Sequence, residues 1–294
     1  ATALTQAFPE IVFNHSFENS VPTTINFTIP GFSSKEIMDL FDAANIRVSS
    51  GAACSSKVTG SFVLDAMGLP NWQSESAIRM SFGPAMTQPQ IDEACTRIVF
   101  AAQALGQSCL IIDTNITADI TELDGLLQFK VGGSCRWIYV DKKTKSAIFI
   151  DPLPELTERI QTLLTCQGLD LIAVIDTHGH GDHQSCRACL ADDYLTQQQT
   201  DILGWPVHSK TTIIDGKHYP YILLGDKWLV KVNTPGHTTD STSLLLSDPV
   251  KDSTDKLVVH YAFCGDLILM DSLGRTNFSS SSAAVMFSSL QLLK

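Results

Sequence analysis

The sequence predicts two domains of mixed helix and strand: an α+β segment over about residues 1–106, a linker over 107–124, and an α/β segment over 125–294. Three observations carry this expectation. Short strand-like runs alternate with helical periodicity up to about residue 106. From about 125, three strand-like runs follow one another and then give way to strand–helix alternation. A length of 294 residues, with 44% hydrophobic and 17% charged side chains, suits one large globular domain or two ordinary ones.

In the first segment 22-PTTINFTI-29 reads as a strand, and 34-SKEIMDLFDAAN-45 as a helix with Ser34 as N-cap. The stretch 45-NIRVSSGAACSS-56 runs from a short strand into a loop of small residues. A helix over 88–105 follows from the helical spacing of Ile91, Ala94, Ile98, Ala101 and Ala102. In the second segment 126-LLQFKV-131, 135-CRWIYVD-141 and 146-SAIFID-151 read as strands, separated by Gly132-Gly133 and by 141-DKKTK-145. An amphipathic helix over 153–166 comes next. The run 169-LDLIAVID-176 is almost wholly apolar, as a strand buried on both faces should be.

That strand delivers the chain into 178-HGHGDH-183, where three histidines and an aspartate fall within six residues. Imidazoles and carboxylates are the ligands a divalent metal takes, at about 2.0–2.2 Å. His178 and His180, two residues apart, project to one side of a tight loop; Asp182 and His183 lie just beyond. Two later fragments suit the same site. The first is 234-TPGHTTDS-241, a turn presenting His237 after a strand over 228–233; the second is 258-VVHYAFCGD-266, a strand ending in Gly265 and Asp266. All three sit at strand ends, where α/β layers place their chemistry.

The order of these motifs resembles the metallo-β-lactamase superfamily over about residues 125–294, which implies an αββα sandwich. The stretches 149-FIDP-152, 177-THGHGDH-183, 235-PGHT-238 and 265-GDLILMDSLGRTNF-278 are most similar to its glyoxalase II-like branch, especially the persulfide dioxygenases. That resemblance implies one Fe(II) held by His178, His237 and Asp266, with positions left for a persulfide sulfur and O₂. His180, Asp182 and His183 would then orient ligands and move protons, with Asp182 in a catalytic role. In the branch's hydrolases Asp182 and His183 would instead bind a second metal, Zn²⁺, and a bridging hydroxide would attack a thioester. Arg275 matches an arginine that binds the substrate's carboxylate. A further His beyond the Asp is usual in the superfamily. No His follows His260 here, so a chain ending within a helix over 283–294 is expected to leave the dinuclear site and the sandwich incomplete.

The first segment carries a second resemblance. The stretches 48-VSSGAACSSKVTGSFVLDAMGLP-70 and 77-AIRMSFGPAMTQPQID-92 resemble the C-terminal small domain of the NifS-like cysteine desulfurases, a class-V aminotransferase family with the fold-type I architecture of PLP enzymes. The resemblance implies that Cys54 carries a persulfide and that Arg79 grips a substrate carboxylate. A loop of Ser, Gly and Ala suits a thiol that must swing between donor and acceptor. PLP would need a Schiff-base lysine in a large domain. This segment has only Lys35 and Lys57, neither in a matching context, so no desulfurase activity is expected of this chain alone.

Charge and composition narrow the remaining choices. A net charge of −11 without any basic run excludes nucleic acid as a partner, and no apolar run is long enough to cross a membrane. The eight thinly spread cysteines suggest a reducing cytoplasm rather than a disulfide framework. Within 186-CRAC-189 both cysteines are expected to pack a helix, and Cys264 to fill a strand. His15, His208, His218 and His260 lie outside any ligand pattern. The expected function is oxidation of a small thiol persulfide, such as glutathione persulfide, to sulfite at Fe(II). The alternatives are a zinc-dependent thioester hydrolase and a non-enzymatic persulfide relay. A homodimer is compatible with all three.

Overall fold

The structure is a computed structural model that describes residues 1–50, 60–107, 109, 120–131, 134–179, 185–195, 198–250, 256–269 and 272–294. Its contacts divide the chain into two units: Ala1–Thr121 with Phe129–Cys135, and Glu122–Gln128 with Arg136–Lys294.

The first unit contains α1 (Thr2–Ala7), β1 (Val12–Phe13), β2 (Thr24–Thr28), α2 (Ser34–Ala43), β3 (Ser49–Ser50), α3 (Phe62–Ala66), α4 (Asn71–Ser76), β4 (Ile78–Ser81) and α5 (Gln88–Gln107). Its antiparallel sheet has the order β1-β2-β4-β3. Alternation in β2 turns Ile25 and Phe27 inward, where they meet Ile37 and Phe41 of α2 and Ile98 and Ala102 of α5 in one core. Helix α2 begins one residue earlier than the sequence suggests. Ser33, not Ser34, is its N-cap: the Ser33 hydroxyl accepts from the Glu36 N–H while the Glu36 carboxylate accepts from the Ser33 N–H. The reciprocal pair satisfies two backbone donors at once, which Ser34 cannot do.

The rest of the chain, in the second unit apart from Phe129–Cys135, contains β5 (Gly125–Val131), β6 (Ser134–Asp141), β7 (Ser146–Ile150), α6 (Thr157–Gln167), β8 (Asp170–Ile175), α7 (Arg187–Tyr194), β9 (Lys210–Ile214), β10 (Lys217–Leu224), β11 (Lys227–Asn233), β12 (Thr242–Ser247), β13 (Val259–Phe263), β14 (Ile268–Leu269), β15 (Ser272–Leu273) and α8 (Ala283–Leu292). Strands β5-β6-β7-β8 form one sheet and β13-β12-β11-β10-β9 another, with β14 and β15 a separate ribbon. The β7–β8 pair is parallel and the second sheet antiparallel throughout.

Ile148, Ile150, Ala173 and Ile175 of the first sheet share a core with Leu224, Leu229, Leu244, Leu246 and Phe263 of the second. The alternate residues Ala147, Phe149 and Val174 are buried too, so β7 and β8 are covered on both faces. Helix α7 packs against β8. Helix α6 buries the stripe Ile160, Leu163 and Leu164, and α8 buries Met286 and hydrogen-bonds Pro235 through Ser289. Together they make the α-and-β-layered sandwich that the motif order implies.

Two expectations are adjusted. The helix anticipated over 153–166 opens as a 3₁₀ turn at Pro154–Leu156, and the α-helix proper starts at Thr157. Each of Cys109 and Cys166 is in a disulfide, where the sequence suggested a reducing cytoplasm without a disulfide framework. Among the described residues no helix is long and apolar enough to cross a membrane. Leu244 is fully buried between the two sheets. Leu244→Ala should lower unfolding stability by about 2–5 kcal/mol in chemical denaturation followed by tryptophan fluorescence; a loss under about 1 kcal/mol would contradict this placement of the core.

Candidate metal centre

The parallel pairing of β7 and β8 brings their carboxyl ends side by side. Asp151 ends β7 and donates its N–H to the Ile175 carbonyl at 2.9 Å. It sits in the left-handed region at φ 54°, which Asp tolerates better than most side chains. Its carboxylate therefore faces the turn after β8, where Oδ1 accepts from the Thr177 N–H at 2.6 Å and Oδ2 from the Thr177 hydroxyl at 2.9 Å. Next along the chain is His178, whose Nδ1 lies 3.0 Å from the same hydroxyl oxygen.

These contacts set the tautomer of His178. A hydroxyl has one proton, and Thr177 donates it to Asp151. Toward His178 the hydroxyl oxygen must accept, so Nδ1 carries the imidazole proton and the lone pair lies on Nε2. His237 is set likewise. It follows β11 at the turn 234-TPGHTTDS-241, and its Nδ1 lies 2.9 Å from the Arg275 carbonyl, which can only accept. The lone pair of His237 therefore lies on Nε2, which stands 3.6 Å from Oδ2 of Asp266.

Among the described residues, His178, His237 and Asp266 form a cluster whose ligand atoms all lie within 4.8 Å of one another. Both histidines are buried and Asp266 is half-buried. Two ligands at about 2.1 Å from a single ion stand about 3.0–3.4 Å apart for octahedral to tetrahedral angles. The cluster thus needs only a small side-chain contraction to enclose a cation. Two neutral imidazoles and a carboxylate suit a divalent transition metal. The two imidazole rings meet edge to face at 5.1 Å.

Close approach at two glycines makes this convergence feasible. Gly265, at φ 50°, precedes Asp266, and a Cβ there would come within 2.3 Å of the Thr177 hydroxyl. Gly236 precedes His237, and a Cβ there would come within 2.4 Å of the Met286 backbone. Asp240 joins the first two loops: it accepts from the Gly179 N–H at 3.1 Å and the Thr238 hydroxyl at 2.6 Å.

The structure thus brings together three of the residues singled out from the sequence. His180, Asp182, His183 and Cys54 lie outside the described residues. Arg275 reaches the cluster through its carbonyl. Its exposed guanidinium stands over the Phe278 ring at 5.1 Å, and that ring meets His237 edge-on at 5.5 Å. Arg79 lies in the first unit, exposed on β4 opposite Ser49, the residue before the end of β3 and two before the stretch holding Cys54. Burial pushes the Cys264 thiol above the usual range against a hydrogen bond with Ser243. His260 pairs with Asp248 at 2.9 Å. Asp151, Thr177 and Asp240 were not singled out from the sequence; the FIDP and THGHGDH stretches contain the first two.

Comparison with known proteins finds two kinds of relative. Residues 2–94 match the model of the class-V aminotransferase family. A stretch of 87 residues is 39% identical to the cysteine desulfurase IscS of Ruthia magnifica, covering 29% of this chain and 21% of that one. A stretch of 166 residues is 28% identical to the probable polyketide biosynthesis zinc-dependent hydrolase BaeB of Bacillus velezensis, covering 54% of this chain and 65% of the relative. The chain is also 28% identical over 159 residues to the human mitochondrial persulfide dioxygenase ETHE1, covering 53% and 58%. A metallo-β-lactamase structure from Staphylococcus aureus aligns over 58% of this chain and 52% of its own, at 27% identity and a TM-score of 0.44. The family model and the curated relatives bear out both resemblances read from the sequence. The chain spans less than two thirds of each curated relative's length.

Removing the Thr177 hydroxyl should release His178 from its tautomer. Thr177→Val should weaken divalent-metal binding about 10–100-fold in calorimetric titration, with circular dichroism unchanged. Affinity equal to wild type would contradict the hydrogen-bonded chain from Asp151.

Proposed function

We propose that the second unit is a metal-dependent enzyme that oxidises a small thiol persulfide, such as glutathione persulfide, to sulfite. The observation that carries this reading is the 2-His-1-carboxylate set of His178, His237 and Asp266, a ligand set suited to non-haem Fe(II) with open positions. Fe(II) held there would supply the binding positions and redox capacity for adding oxygen to the outer sulfur. In the overall balance, persulfide, O₂ and water give thiol, sulfite and two protons.

The chain's own residues hold and orient. Nδ1–H of each histidine is engaged by a fixed acceptor, so both Nε2 atoms stay aimed at one point. The Asp266 side chain is 47% exposed, which opens the cluster to solvent on the carboxylate side. Arg275 puts a guanidinium over Phe278, one ring away from His237. A substrate thiol bearing a carboxylate would be gripped there by a bidentate charged pair. Asp182 and His183 would move protons beside the cluster. In the first unit, Cys54 would carry sulfane sulfur for transfer to the thiol, with Arg79 near the same loop; the match to a cysteine desulfurase supports this. PLP would belong to a large domain in a longer parent.

A zinc-dependent thioester hydrolase is the second reading, and the similarity to BaeB favours it. Metal analysis with substrate assays separates the two. The first reading expects one iron per chain, with O₂ uptake and sulfite formation on adding glutathione persulfide. His237→Ala should lose the metal and at least about 10²-fold in rate, the scale of removing a principal electrostatic group. Two zinc ions with thioester cleavage and no O₂ uptake would overturn it in favour of the hydrolase.

A further inference from the structure

Cys186 and Cys189 open helix α7, eight and eleven residues beyond His178 in the chain, and have no part in the metal cluster. Packing explains one of them and not the other. Cys186 is buried and its sulfur lies 2.9 Å from the Thr157 hydroxyl, whereas Cys189 is exposed. Besides burial, the nearby Cys189 thiol also pushes the Cys186 thiol up. Residues three apart on a helix have Cα atoms about 5 Å apart from the helical rise and radius, inside the roughly 4.4–6.8 Å that a disulfide spans.

The surroundings hold the Cys186 end firmly. Ser185 Oγ donates to Asp176 Oδ1 at 2.8 Å, Arg187 Nε to Asp176 Oδ2 at 3.2 Å, and the Cys186 N–H to the Pro152 carbonyl at 3.1 Å. The Cys186 end is thus fixed, and closing a bond between the sulfurs draws on rotation at Cys189, on the solvent side. The exposed thiol lies in the first turn of α7, open to a reactant from solvent.

We propose that Cys186 and Cys189 form a redox-active dithiol that exchanges with low-molecular-weight disulfides of the glutathione class. The Cys189 thiolate attacks one sulfur of the disulfide, an S–S bond breaks, and one thiolate leaves and takes a proton from water. Cys186 then loses its proton and attacks the Cys189 sulfur of the mixed disulfide, releasing the second thiol. The two cysteine sulfurs are oxidised to a disulfide, and the incoming disulfide is reduced to two thiols. Burial pushes the Cys186 thiol above the usual range, with the Thr157 hydrogen bond opposing. Cys189, the exposed thiol, is the attacking one and the buried Cys186 the resolving one. This site is independent of the reaction proposed for the metal cluster.

The test incubates the whole chain with glutathione disulfide, then alkylates, digests and maps the peptides. Cleavage after Arg187 separates the two cysteines when they are thiols and leaves one cross-linked species when they are oxidised. In wild type, alkylation of Cys186 and Cys189 should be lost together and restored by excess reduced glutathione. Cys186→Ser should stop at a glutathione adduct on Cys189, and Cys189→Ser should give neither adduct nor cross-link. If Cys186→Ser does not fold, the wild-type time course decides: the Cys189 adduct must appear before the cross-link. Overturning results are a wild-type pair that stays fully alkylatable while Cys95 is modified, or an adduct that never resolves.

Discussion

Two buried imidazoles can serve one cation only if each holds its proton on the nitrogen pointing away from it. Burial removes the water that would otherwise let either tautomer form, so the protein must supply the acceptors itself. Here it does so in two different ways: a hydroxyl already committed to a carboxylate for His178, and a backbone carbonyl for His237. The first arrangement depends on Asp151 standing beside Thr177. That in turn depends on β7 and β8 being parallel neighbours in register. The geometry of the cluster therefore rests on a sheet pairing several residues removed from His237 and Asp266.

The third ligand arrives under a steric condition. Asp266 enters from the end of β13 in the opposite sheet, and Gly265 lets that backbone pass against the Thr177 hydroxyl. The same threonine thus fixes the tautomer of one ligand and limits the approach of another. Asp240 adds a tie between the turn of His237 and the N–H of Gly179, so the loops are coupled before any ion binds. Preorganisation of this kind spares a bound metal the entropy of gathering three separate loops.

Much of this was legible in the residues. An apolar run such as 169-LDLIAVID-176 has few other uses than a buried strand, and the ligands were placed at strand ends because the motifs sit where such runs stop. Less was legible where the signal is spread or shared. The Ser33–Glu36 pair is a visible capping box, yet an adjacent serine competes for the same role. The hairpin of β9 and β10 turns at Asp215–Gly216, a strong two-residue turn signal, but its strands carry too many exposed residues to stand out. The link from Asp151 to Thr177 joins side chains that only the parallel sheet makes neighbours. The part played by the Arg275 carbonyl has no sequence signature, because every residue has a carbonyl; the side chain drew notice instead. The exposure of Cys189 beside a buried Cys186 depends on how α7 lies on β8, which spacing alone does not reveal.

The central claim is that a single ion is bound through Nε2 of His178 and Nε2 of His237 together with the Asp266 carboxylate. Long-range ¹⁵N–¹H NMR of the histidine side chains, recorded as the whole chain is titrated with diamagnetic Zn²⁺, tests it most directly. The account predicts that both rings hold their proton on Nδ1 before metal is added. At one equivalent the two Nε2 resonances should shift together, while Nδ1 stays protonated. Ligation through Nδ1 of either ring, or saturation that leaves the His237 resonances unmoved, would contradict it.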